Sequence, residues 1–221
     1  MTLLNWEYEK EEREMLLSLA KDGDTFFDIG ANVGLYSITF AKRYPKSRVY
    51  AFEPIPCTIA ELKSNLELNG VENVTICPYG LSDRVDHATF YYPPSDSGAT
   101  SMAPIGDRFG PTVTTVASVS DLDKVCSYEG GLHPDIIKCD VEGAELLVFK
   151  GAAKTLETYK PVIQCEMLRK WAKRFNYHPN DIIKFLGEFG YNCYVLREGS
   201  LQPFTEMTDE TVETNFFFIH P

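Results

Sequence analysis

The sequence lacks the features expected of a membrane-spanning or a secreted protein. It has no apolar run that approaches the roughly 18 residues needed to cross a membrane. Its N-terminal stretch is acidic and amphipathic, and lacks the basic start, the apolar core and the small-residue cleavage site of a signal peptide. We therefore expect a cytoplasmic protein without a membrane span.

Positive charge is scarce in this chain. Its 21 lysines and arginines face 32 aspartates and glutamates, which gives a formal net charge of −11. Proteins that bind nucleic acid or anionic lipid through charge carry a basic surface instead. The charge balance therefore argues against a nucleic-acid partner and is typical of a soluble globular protein.

Cysteine motifs are also missing. None of the six cysteines forms a C-x-x-C pair, and no histidine lies near them at the spacing of metal ligands. Cys77, Cys139, Cys165 and Cys193 lie within apolar runs, where we expect buried, reduced thiols.

The chain does contain a regular alternation of strand-like and helix-like segments, typical of a parallel sheet with helices on both faces. We expect residues 1–221 to form a single α/β domain. The last two strands have no helix between them, so we expect them to pair antiparallel. The predicted strands are 25–29, 48–53, 74–80, 134–141, 161–167, 191–198 and 215–221. The predicted helices are 5–20, 33–43, 57–70, 143–157 and 178–190.

Residues 86–134 interrupt this alternation. Strand-like segments at 87–92 and 112–119 flank the stretch 93–111, which is rich in proline, glycine and serine. Long loops of this kind are frequently lids or binding loops, although a mobile hairpin connection is the alternative. We therefore expect a hairpin insertion here, in addition to an N-terminal helix within 1–22.

The segment FFDIGANVGLYS at 26–37 joins the first predicted strand to a helix through a glycine-rich turn. In open α/β sheets, ligands bind beyond the carboxyl ends of the strands, where the strand order reverses. Gly30 and Gly34 permit positive φ and a close approach of the backbone, and the helix start offers free N–H groups to an anion. We therefore expect a ligand here, with a purely structural turn as the alternative.

Three details indicate the class of this ligand. The turn lacks the middle glycine of G-x-G-x-x-G, through which the backbone meets a dinucleotide pyrophosphate. Asp28 precedes the turn, and its charge would repel a pyrophosphate but attract the ammonium and sulfonium groups of S-adenosylmethionine (SAM). Glu53 ends the second strand, where a carboxylate can accept hydrogen bonds from two ribose hydroxyls. We predict SAM as the cofactor, with a nucleotide cofactor as the alternative.

Charged side chains gather at the ends of the fourth and fifth predicted strands. Lys138 and Asp140 alternate at the end of the fourth, and Glu166 ends the fifth. Glu142 and Glu145 are three residues apart, which predicts that they share one face of a helix start. Acids in a first helical turn also complement the helix dipole, and this is the alternative for either glutamate alone.

Methyl transfer to an alcohol requires a base for the hydroxyl proton. The four histidines lie outside these motifs, so we predict a carboxylate base and place Asp140, Lys138, Glu142 and Glu166 in the catalytic region. Neighbouring acids would raise the pKa of Lys138, which favours ion pairing or steering of the acceptor over proton transfer. We predict no metal, because the carboxylates lack a diagnostic ligand spacing.

Together these motifs resemble those of the FkbM-type SAM-dependent methyltransferases. The resemblance extends over about residues 24–195 and rests on FFDIGANVGLYS (26–37), VYAFEP (49–54), YGLSD (79–83), SGATSM (97–102), IIKCDVEGAELLVFKGA (136–152) and VIQCEM (162–167). It implies a class I methyltransferase fold, a Rossmann-like seven-stranded sheet that is mostly parallel, with one antiparallel strand near the C-terminus. It also implies methyl transfer to a hydroxyl, often of a sugar or a natural product.

The same resemblance assigns roles by position. The residues that would surround the methionine part of SAM are Asp28, Gly30, Ala31, Asn32 and Gly34. Those that would contact the ribose and adenine are Glu53, Pro54, Leu81, Ser82 and Asp83. Asp140 would lie nearest the transferred methyl group.

One departure from the family concerns the fifth strand. Relatives often carry a histidine after its acid, whereas here Glu166 is followed by Met167 and Leu168. If that histidine serves as a base, this chain must use a carboxylate or bind its acceptor differently. The sequence thus predicts an O-methyltransferase acting on a sugar hydroxyl of a glycan or a glycosylated metabolite. The alternatives are a nucleotide-dependent oxidoreductase and a non-catalytic SAM-binding module. The acceptor and oligomeric state are left open, but we expect the loop 93–111 and the N-terminal helix to shape the acceptor pocket.

Overall fold

The computed structural model describes residues 4–93, 99–106, 111–128 and 132–221, which form two sheets with helices around the larger one. The strands are β1 (Thr25–Ile29), β2 (Arg48–Phe52), β3 (Val74–Cys77), β4 (Gly80–Leu81), β5 (Asp86–Tyr92), β6 (Val113–Ser120), β7 (Ile136–Cys139), β8 (Val162–Glu166), β9 (Asn192–Arg197), β10 (Ser200–Pro203) and β11 (Asn215–Ile219). The helices are α1 (Lys10–Ser18), α2 (Leu35–Arg43), α3 (Pro56–Leu68), α4 (Leu122–Tyr128), α5 (Glu145–Lys150), α6 (Ala153–Tyr159), α7 (Arg169–Ala172) and α8 (Pro179–Glu188).

The larger sheet has the strand order β10-β9-β11-β8-β7-β1-β2-β3. Its five strands from β8 to β3 are parallel, as their near-continuous apolar runs predict. β11 lies between β8 and β9 and pairs antiparallel with both. The predicted antiparallel pairing of the last two predicted strands is therefore confirmed.

The sheet has eight strands, one more than the sequence predicts. The additional strand, β10, pairs antiparallel with β9 through a two-residue turn at Glu198 and Gly199. Both turn residues have positive φ, at 50° and 73°, as a type I′ hairpin turn requires. Glutamate is not a residue that signals such a turn. The strand itself is short and ends in Pro203, a residue that sheets tolerate at their edges.

Two predicted helices also differ from the structure. The helix predicted at 143–157 divides into α5 and α6, and it does so at Gly151, where a Cβ atom would lie 2.1 Å from the carbonyl oxygen of Ser82. The backbone at Gly151 lies so close to Ser82 that any residue with a side chain would clash there. The N-terminal helix begins at Lys10, because residues 5–8 form a separate turn in which the Tyr8 N–H donates to the Asn5 carbonyl.

Both faces of the larger sheet are covered, as predicted. Phe26 and Phe27 are adjacent in β1 and fully buried, and they point to opposite faces. Phe26 stacks on Phe40 of α2 with ring centroids 4.4 Å apart. Phe27 joins the cluster on the other face, which contains Phe149 of α5 and Ile182 of α8. Because both faces are covered at the centre of the sheet, β1 and β7 are buried at every position.

The smaller sheet has the order β4-β6-β5 and contains the predicted insertion. β5 and β6 pair antiparallel as a hairpin, and β4 adds a short parallel strand that the sequence does not predict. Its apolar residues Phe90 and Val119 pack on Ile55, at the end of the loop that follows β2. Much of the loop predicted at 93–111 lies outside the described residues, including Ser97 and Gly98 of the SGATSM motif.

All six cysteines are free, and those in apolar runs are buried as predicted. Within the described ranges, none of the helices combines the length and the apolar character that a bilayer crossing requires.

Candidate active site

The carboxyl end of β1 lies where the strand order of the sheet reverses. From β1 the chain continues to β2 and β3 on one side, and only later returns to β7 on the other. Such a reversal opens a crevice in which α/β proteins bind ligands. Gly30 stands at this point with a φ of 77°, and a Cβ atom there would lie 1.8 Å from the carbonyl oxygen of Asp140. Only glycine therefore lets the turn pass this closely beside the end of β7.

Asp28 is fully buried beneath this turn. Its Oδ2 accepts hydrogen bonds from the backbone N–H of Ser37 at 3.0 Å and from the Ser37 hydroxyl at 2.6 Å, which satisfies a free N–H in the first turn of α2. Burial raises the pKa of Asp28, and Lys138 and Ser37 oppose that rise. Its carboxylate is bound to the start of α2, and Asp28 is not among the residues that line the cavity described below, in contrast to the prediction.

Lys138 places an ammonium group inside the crevice. The residue is 6% exposed, and its Nζ donates to the carbonyl oxygen of Gly30 at 3.0 Å. The same atom lies 3.3 Å from Asp140 Oδ2 and 3.8 Å from Asp28 Oδ1. Burial lowers the pKa of Lys138, but the carboxylates of Asp140, Asp28 and Glu9 outweigh burial and raise the pKa overall. The predicted pairing of this lysine with acids is confirmed.

Glu53 directly follows β2, as the F-E-P motif predicts. Its Oε2 accepts from the N–H of Asn32 at 3.1 Å and its Oε1 from the N–H of Ile55 at 2.9 Å. Burial raises the pKa of Glu53 to about 7 despite these bonds. Asn32 has a φ of 48°, and its Oδ1 is buried with no hydrogen-bond partner among the described residues. A buried acceptor without a partner is costly, so this atom indicates a place for a ligand's donor group.

A cavity of about 550 Å³ extends along the carboxyl ends of the central strands. Its volume is in the range of small-molecule and cofactor sites. Most of the predicted site residues line it, and these are Gly30, Ala31, Asn32, Glu53, Pro54, Leu81, Lys138, Asp140, Glu142 and Glu166. The structure therefore brings the predicted cofactor residues and the predicted catalytic residues into one space.

Four predicted site residues do not line the cavity. Asp28 is described above, and the other three are Gly34, Ser82 and Asp83. Gly34 precedes α2 with a φ of 92°, and a Cβ atom there would lie 2.4 Å from Leu62 of α3, so it serves helix packing. The Ser82 N–H donates to the Ser120 carbonyl and extends the smaller sheet. Asp83 pairs with a neighbouring arginine at the surface. The structure places none of the three where it would border the cavity.

Three carboxyl groups converge at one end of the cavity. One oxygen each from Asp140, Glu142 and Glu166 lie within 4.8 Å of one another, which is also a spacing that could hold a divalent cation. Burial, and next the charge of Asp140, raise the pKa of Glu142 to about 9 and that of Glu166 to about 10. Like charges this close disfavour full ionisation. These raised pKa values favour the protonated forms of the two glutamates at neutral pH. The ammonium of Lys138 lies 3.3 Å from Asp140 Oδ2.

Glu145 does not join this cluster. Its Oε1 accepts from the N–H groups of Val141 and Gly143, both at 3.0 Å, and its Oε2 accepts from the Tyr177 hydroxyl at 3.0 Å. Burial raises its pKa to about 6. Glu142 has a φ of 53° and precedes α5, which begins only at Glu145. The prediction that both share a helix face is therefore wrong, and Glu145 instead shapes the turn that presents Glu142.

The family model for the Methyltransferase FkbM domain matches residues 28–193. The matched range contains the glycine turn, Glu53 and all three converging carboxyl groups. The chain belongs to the FkbM methyltransferase domain family. The resemblance that the motifs predict is thereby confirmed.

Several curated relatives of this FkbM domain are named as methyltransferases. Methyltransferase sdnD of Sordaria araneosa is 30% identical over 151 residues, which cover 56% of this chain and 58% of the relative. Hexuronic acid methyltransferase AglP of Haloferax volcanii is 29% identical over 155 residues, 70% of this chain and 61% of the relative. 2-O-methyltransferase NoeI of Sinorhizobium fredii is 27% identical over 161 residues, 66% and 65% of the two chains. The FkbM domain thus spans less than two thirds of each relative.

Solved structures confirm the class I methyltransferase fold. The crystal structure of Methyltransferase FkbM from Methylobacillus flagellatus KT has a TM-score of 0.55 at 17% identity, covering 91% of this chain and 45% of that one. A SAM-dependent O-methyltransferase from Thermotoga maritima has a TM-score of 0.52 at 16% identity, covering 99% and 66%. Identities this low establish the shared fold and nothing further.

Some residues of this FkbM domain line the cavity although none of them was predicted individually as a site residue. Tyr8 and Glu9 do so from the segment before α1, and Tyr36 from the first turn of α2. A signal for Tyr36 exists, because the first turn of a helix that follows a ligand-binding turn faces the ligand. No local pattern marks Tyr8 or Glu9, because only the tertiary fold carries their segment over the sheet.

The insertion and α7 also contribute to the cavity. Phe90, Ala99, Thr100 and Met102 line it, which bears out the expectation that the insertion shapes the pocket. Lys170 and Trp171 line it from α7, which follows β8 directly. Their helix can pack this closely because residue 143 is a glycine, where a Cβ atom would lie 2.7 Å from the Trp171 carbonyl oxygen.

Proposed function

We propose that this chain is a SAM-dependent O-methyltransferase whose acceptor is a sugar hydroxyl of a glycan or a glycosylated metabolite. The observation that carries the proposal is that one cavity joins the glycine turn and Glu53 to the carboxyl groups of Asp140, Glu142 and Glu166. The first group of residues suits a cofactor with a ribose, and the second suits removal of a proton. Membership of the FkbM family supports methyl transfer as the reaction.

The cofactor end of the cavity fits SAM. Bound SAM supplies an electrophilic methyl group. Glu53 uses one lone pair of each oxygen for backbone N–H groups, which leaves acceptors for two ribose hydroxyls. The unpartnered Oδ1 of Asn32 can accept from an ammonium group. Gly30 keeps open the space beside Asp140 that any side chain would fill.

Asp140 is the base in this proposal. Its carboxylate accepts the proton of the acceptor hydroxyl as that oxygen attacks. Lys138 fixes Asp140 at 3.3 Å and is itself held by the Gly30 carbonyl, so the base is positioned from the cofactor turn. Glu142 and Glu166, in their protonated forms, donate hydrogen bonds to other oxygens of the acceptor.

The acceptor end suits a molecule with several hydroxyl groups. Carboxyl groups there can accept from hydroxyls and, when protonated, donate to them. Two relatives carry names that agree with this acceptor class: AglP is named for hexuronic acid, and NoeI for 2-O-methylation. These names support a sugar hydroxyl as the acceptor of this chain.

The test is incubation of the protein with SAM and a panel of nucleotide sugars and oligosaccharides, followed by mass spectrometry for products heavier by one methylene unit. A methylated sugar supports the proposal. Binding of S-adenosylhomocysteine without any methylated product would instead favour a non-catalytic SAM-binding module. Thermal stabilisation by NAD or NADP, with none by S-adenosylhomocysteine, would favour the oxidoreductase alternative.

A further inference from the structure

A hydrogen-bond network joins the segment before α1 to the sheet. Glu9 Oε2 accepts from the Tyr36 hydroxyl at 2.9 Å, and Glu9 Oε1 accepts from Asn215 Nδ2 at 2.8 Å. Gln164 Nε2 donates to the Tyr36 hydroxyl at 2.8 Å and to Asn215 Oδ1 at 3.0 Å. Tyr36, Gln164 and Asn215 are buried in α2, β8 and β11. Glu9 is therefore anchored to two elements directly and to a third through the network.

A second anchor fastens the same segment to α1. Arg13 is 4% exposed, and its guanidinium donates to the carbonyl oxygens of Trp6, at 2.7 Å, and of Tyr8. The Tyr8 N–H closes a turn on the Asn5 carbonyl at 3.1 Å. Residues 4–9, called here the N-terminal wall, are therefore held by buried side chains, at Trp6 and Tyr8 through Arg13 and at Glu9 through the network.

This wall forms one side of the cavity that also contains the cluster of Asp140, Glu142 and Glu166. Leu4, Asn5, Tyr8 and Glu9 all line the cavity. Tyr8 is 53% exposed, and its hydroxyl has no hydrogen-bond partner in the described part of the chain. Burial, and next the carboxylates of Glu9, Glu166 and Asp140, raise the pKa of this phenol, so it stays a protonated donor near the base. A tyrosine so placed offers a ring face and an O–H to a bound molecule.

We propose that Tyr8 contacts the acceptor and that Glu9 is the positioning residue that holds Tyr8 over the carboxyl cluster. This inference rests on the proposed function for the identity of the acceptor. The placement of the wall rests on the Glu9 network alone. Loss of Glu9 should release the wall, raise KM for the acceptor and leave cofactor binding unchanged, because the wall does not include the glycine turn or Glu53.

The test uses variants of Glu9 and Asn215, which change the network, and variants of Tyr8, which change the side chain that the network positions. Glu9→Ala removes both acceptors. In Glu9→Gln, the new amide N–H faces the Asn215 amide N–H, so two donors meet and the hydrogen bond is lost. Adding Asn215→Asp supplies a carboxylate oxygen that accepts from this amide. The double variant keeps the total charge of the wild type. Tyr8→Ala removes the ring, and Tyr8→Phe removes only the hydroxyl. Glu7→Ala is the matched control, because Glu7 lies in the same wall but pairs with Lys10 at the surface.

The readouts are amide hydrogen exchange of residues 4–9, affinity for S-adenosylhomocysteine, and KM and kcat for whichever panel sugar the wild type methylates. We expect Glu9→Ala to speed exchange and raise KM at least about tenfold, with S-adenosylhomocysteine affinity within about twofold of wild type. Tyr8→Ala should raise KM similarly without changing exchange. The Glu9→Gln/Asn215→Asp pair should recover most of both losses that Glu9→Gln causes.

Two results would overturn the inference. The first is exchange in Glu9→Ala that matches Glu7→Ala, which means that Glu9 holds nothing in place. The second is equal loss of S-adenosylhomocysteine binding and acceptor use, which means that the wall serves the cofactor. If the wild type methylates no sugar, the proposed function fails, and the exchange data still decide whether Glu9 anchors the wall.

Discussion

The ammonium of Lys138 lies 3.8 Å from the carboxylate of Asp28, and both residues are buried. They are register partners in the parallel pair formed by β1 and β7. Asp28 Oδ1 has no hydrogen-bond partner among the described residues, so Lys138 supplies the compensating charge. The glycine turn after β1 and the end of β7 are thereby coupled through one ion pair beneath the cavity.

This coupling predicts that Lys138→Met destabilises the fold by about 3–5 kcal/mol, because it leaves the charge of Asp28 buried without a partner. The double variant Lys138→Met/Asp28→Asn should recover part of that loss, since the asparagine can still accept from Ser37. Urea unfolding of the single and double variants measures the difference. Equal stability of the two would contradict the proposed compensation.

Asp140→Asn should lower kcat by roughly 10²- to 10⁴-fold, the usual contribution of a positioned general base. The asparagine keeps the size of the side chain and the space beside Gly30. S-adenosylhomocysteine affinity, measured by calorimetry, should stay within about threefold of wild type. Glu67→Gln, on the exposed face of α3, is the control for loss of one carboxylate. Turnover by Asp140→Asn at the control's rate would exclude Asp140 as the base.

Gly30→Ala should abolish S-adenosylhomocysteine binding or prevent folding, because its Cβ would overlap the Asp140 carbonyl. Gly70→Ala tests positive φ without a clash: its φ is 64° and no atom lies within 4 Å of an added Cβ. That variant should lose only about 1–2 kcal/mol, the cost of left-handed backbone for alanine. Thermal unfolding with and without S-adenosylhomocysteine separates the two. Similar behaviour of both variants would mean that φ, and not the close approach, constrains Gly30.

The cluster of Asp140, Glu142 and Glu166 has the spacing to hold a cation, yet a carboxylate base needs none. We expect methyl transfer to continue at an unchanged rate after dialysis against EDTA, and added Mg²⁺ or Mn²⁺ to leave it unaltered. A loss of activity on chelation that Mg²⁺ restores would show that the three residues act as metal ligands.

The raised pKa of Glu166 predicts a dependence of stability on pH. Its pKa of about 10 in the fold exceeds the ordinary 4.5, so the folded chain keeps a proton that the unfolded chain releases. This contribution to stability is full below about pH 4.5 and is lost as pH rises towards 10. Glu166→Gln cannot ionise, so its stability relative to wild type should increase from about pH 5 to pH 9, by at most about 1.4 kcal/mol for each pH unit. A difference in urea midpoints that is constant with pH would contradict this.

Local sequence signals were sufficient to predict the glycine turn and the position of Glu53 beside it. Gly30 and Glu53 have roles that the backbone fixes locally: one permits a positive φ at the end of a strand, and the other follows the next strand directly. The parallel order of the central strands was also predictable, because buried strands show continuous apolar runs. The β10 strand was not, because its Glu198–Gly199 turn and its edge position leave no strong local signal.

The directions of the charged side chains at the site could not be predicted from the sequence. Glu142 and Glu145 are at helical spacing, but the positive φ of Glu142 turns one towards the cavity and leaves the other under the turn. The charge of Asp28 would suit a cationic cofactor group, but its carboxylate instead accepts a hydrogen bond from the N–H of Ser37 in the first turn of α2.

The sequence by itself therefore determined the fold class, the family and the place of the glycine turn, since these depend on local backbone requirements and apolar periodicity. Tertiary structure alone decided the directions of the carboxyl side chains, the shifts of their pKa values, and that Glu9 and Tyr8 line the same cavity from the segment before α1. The reason is physical: burial and charge proximity arise only when distant segments pack together, and no local pattern records them.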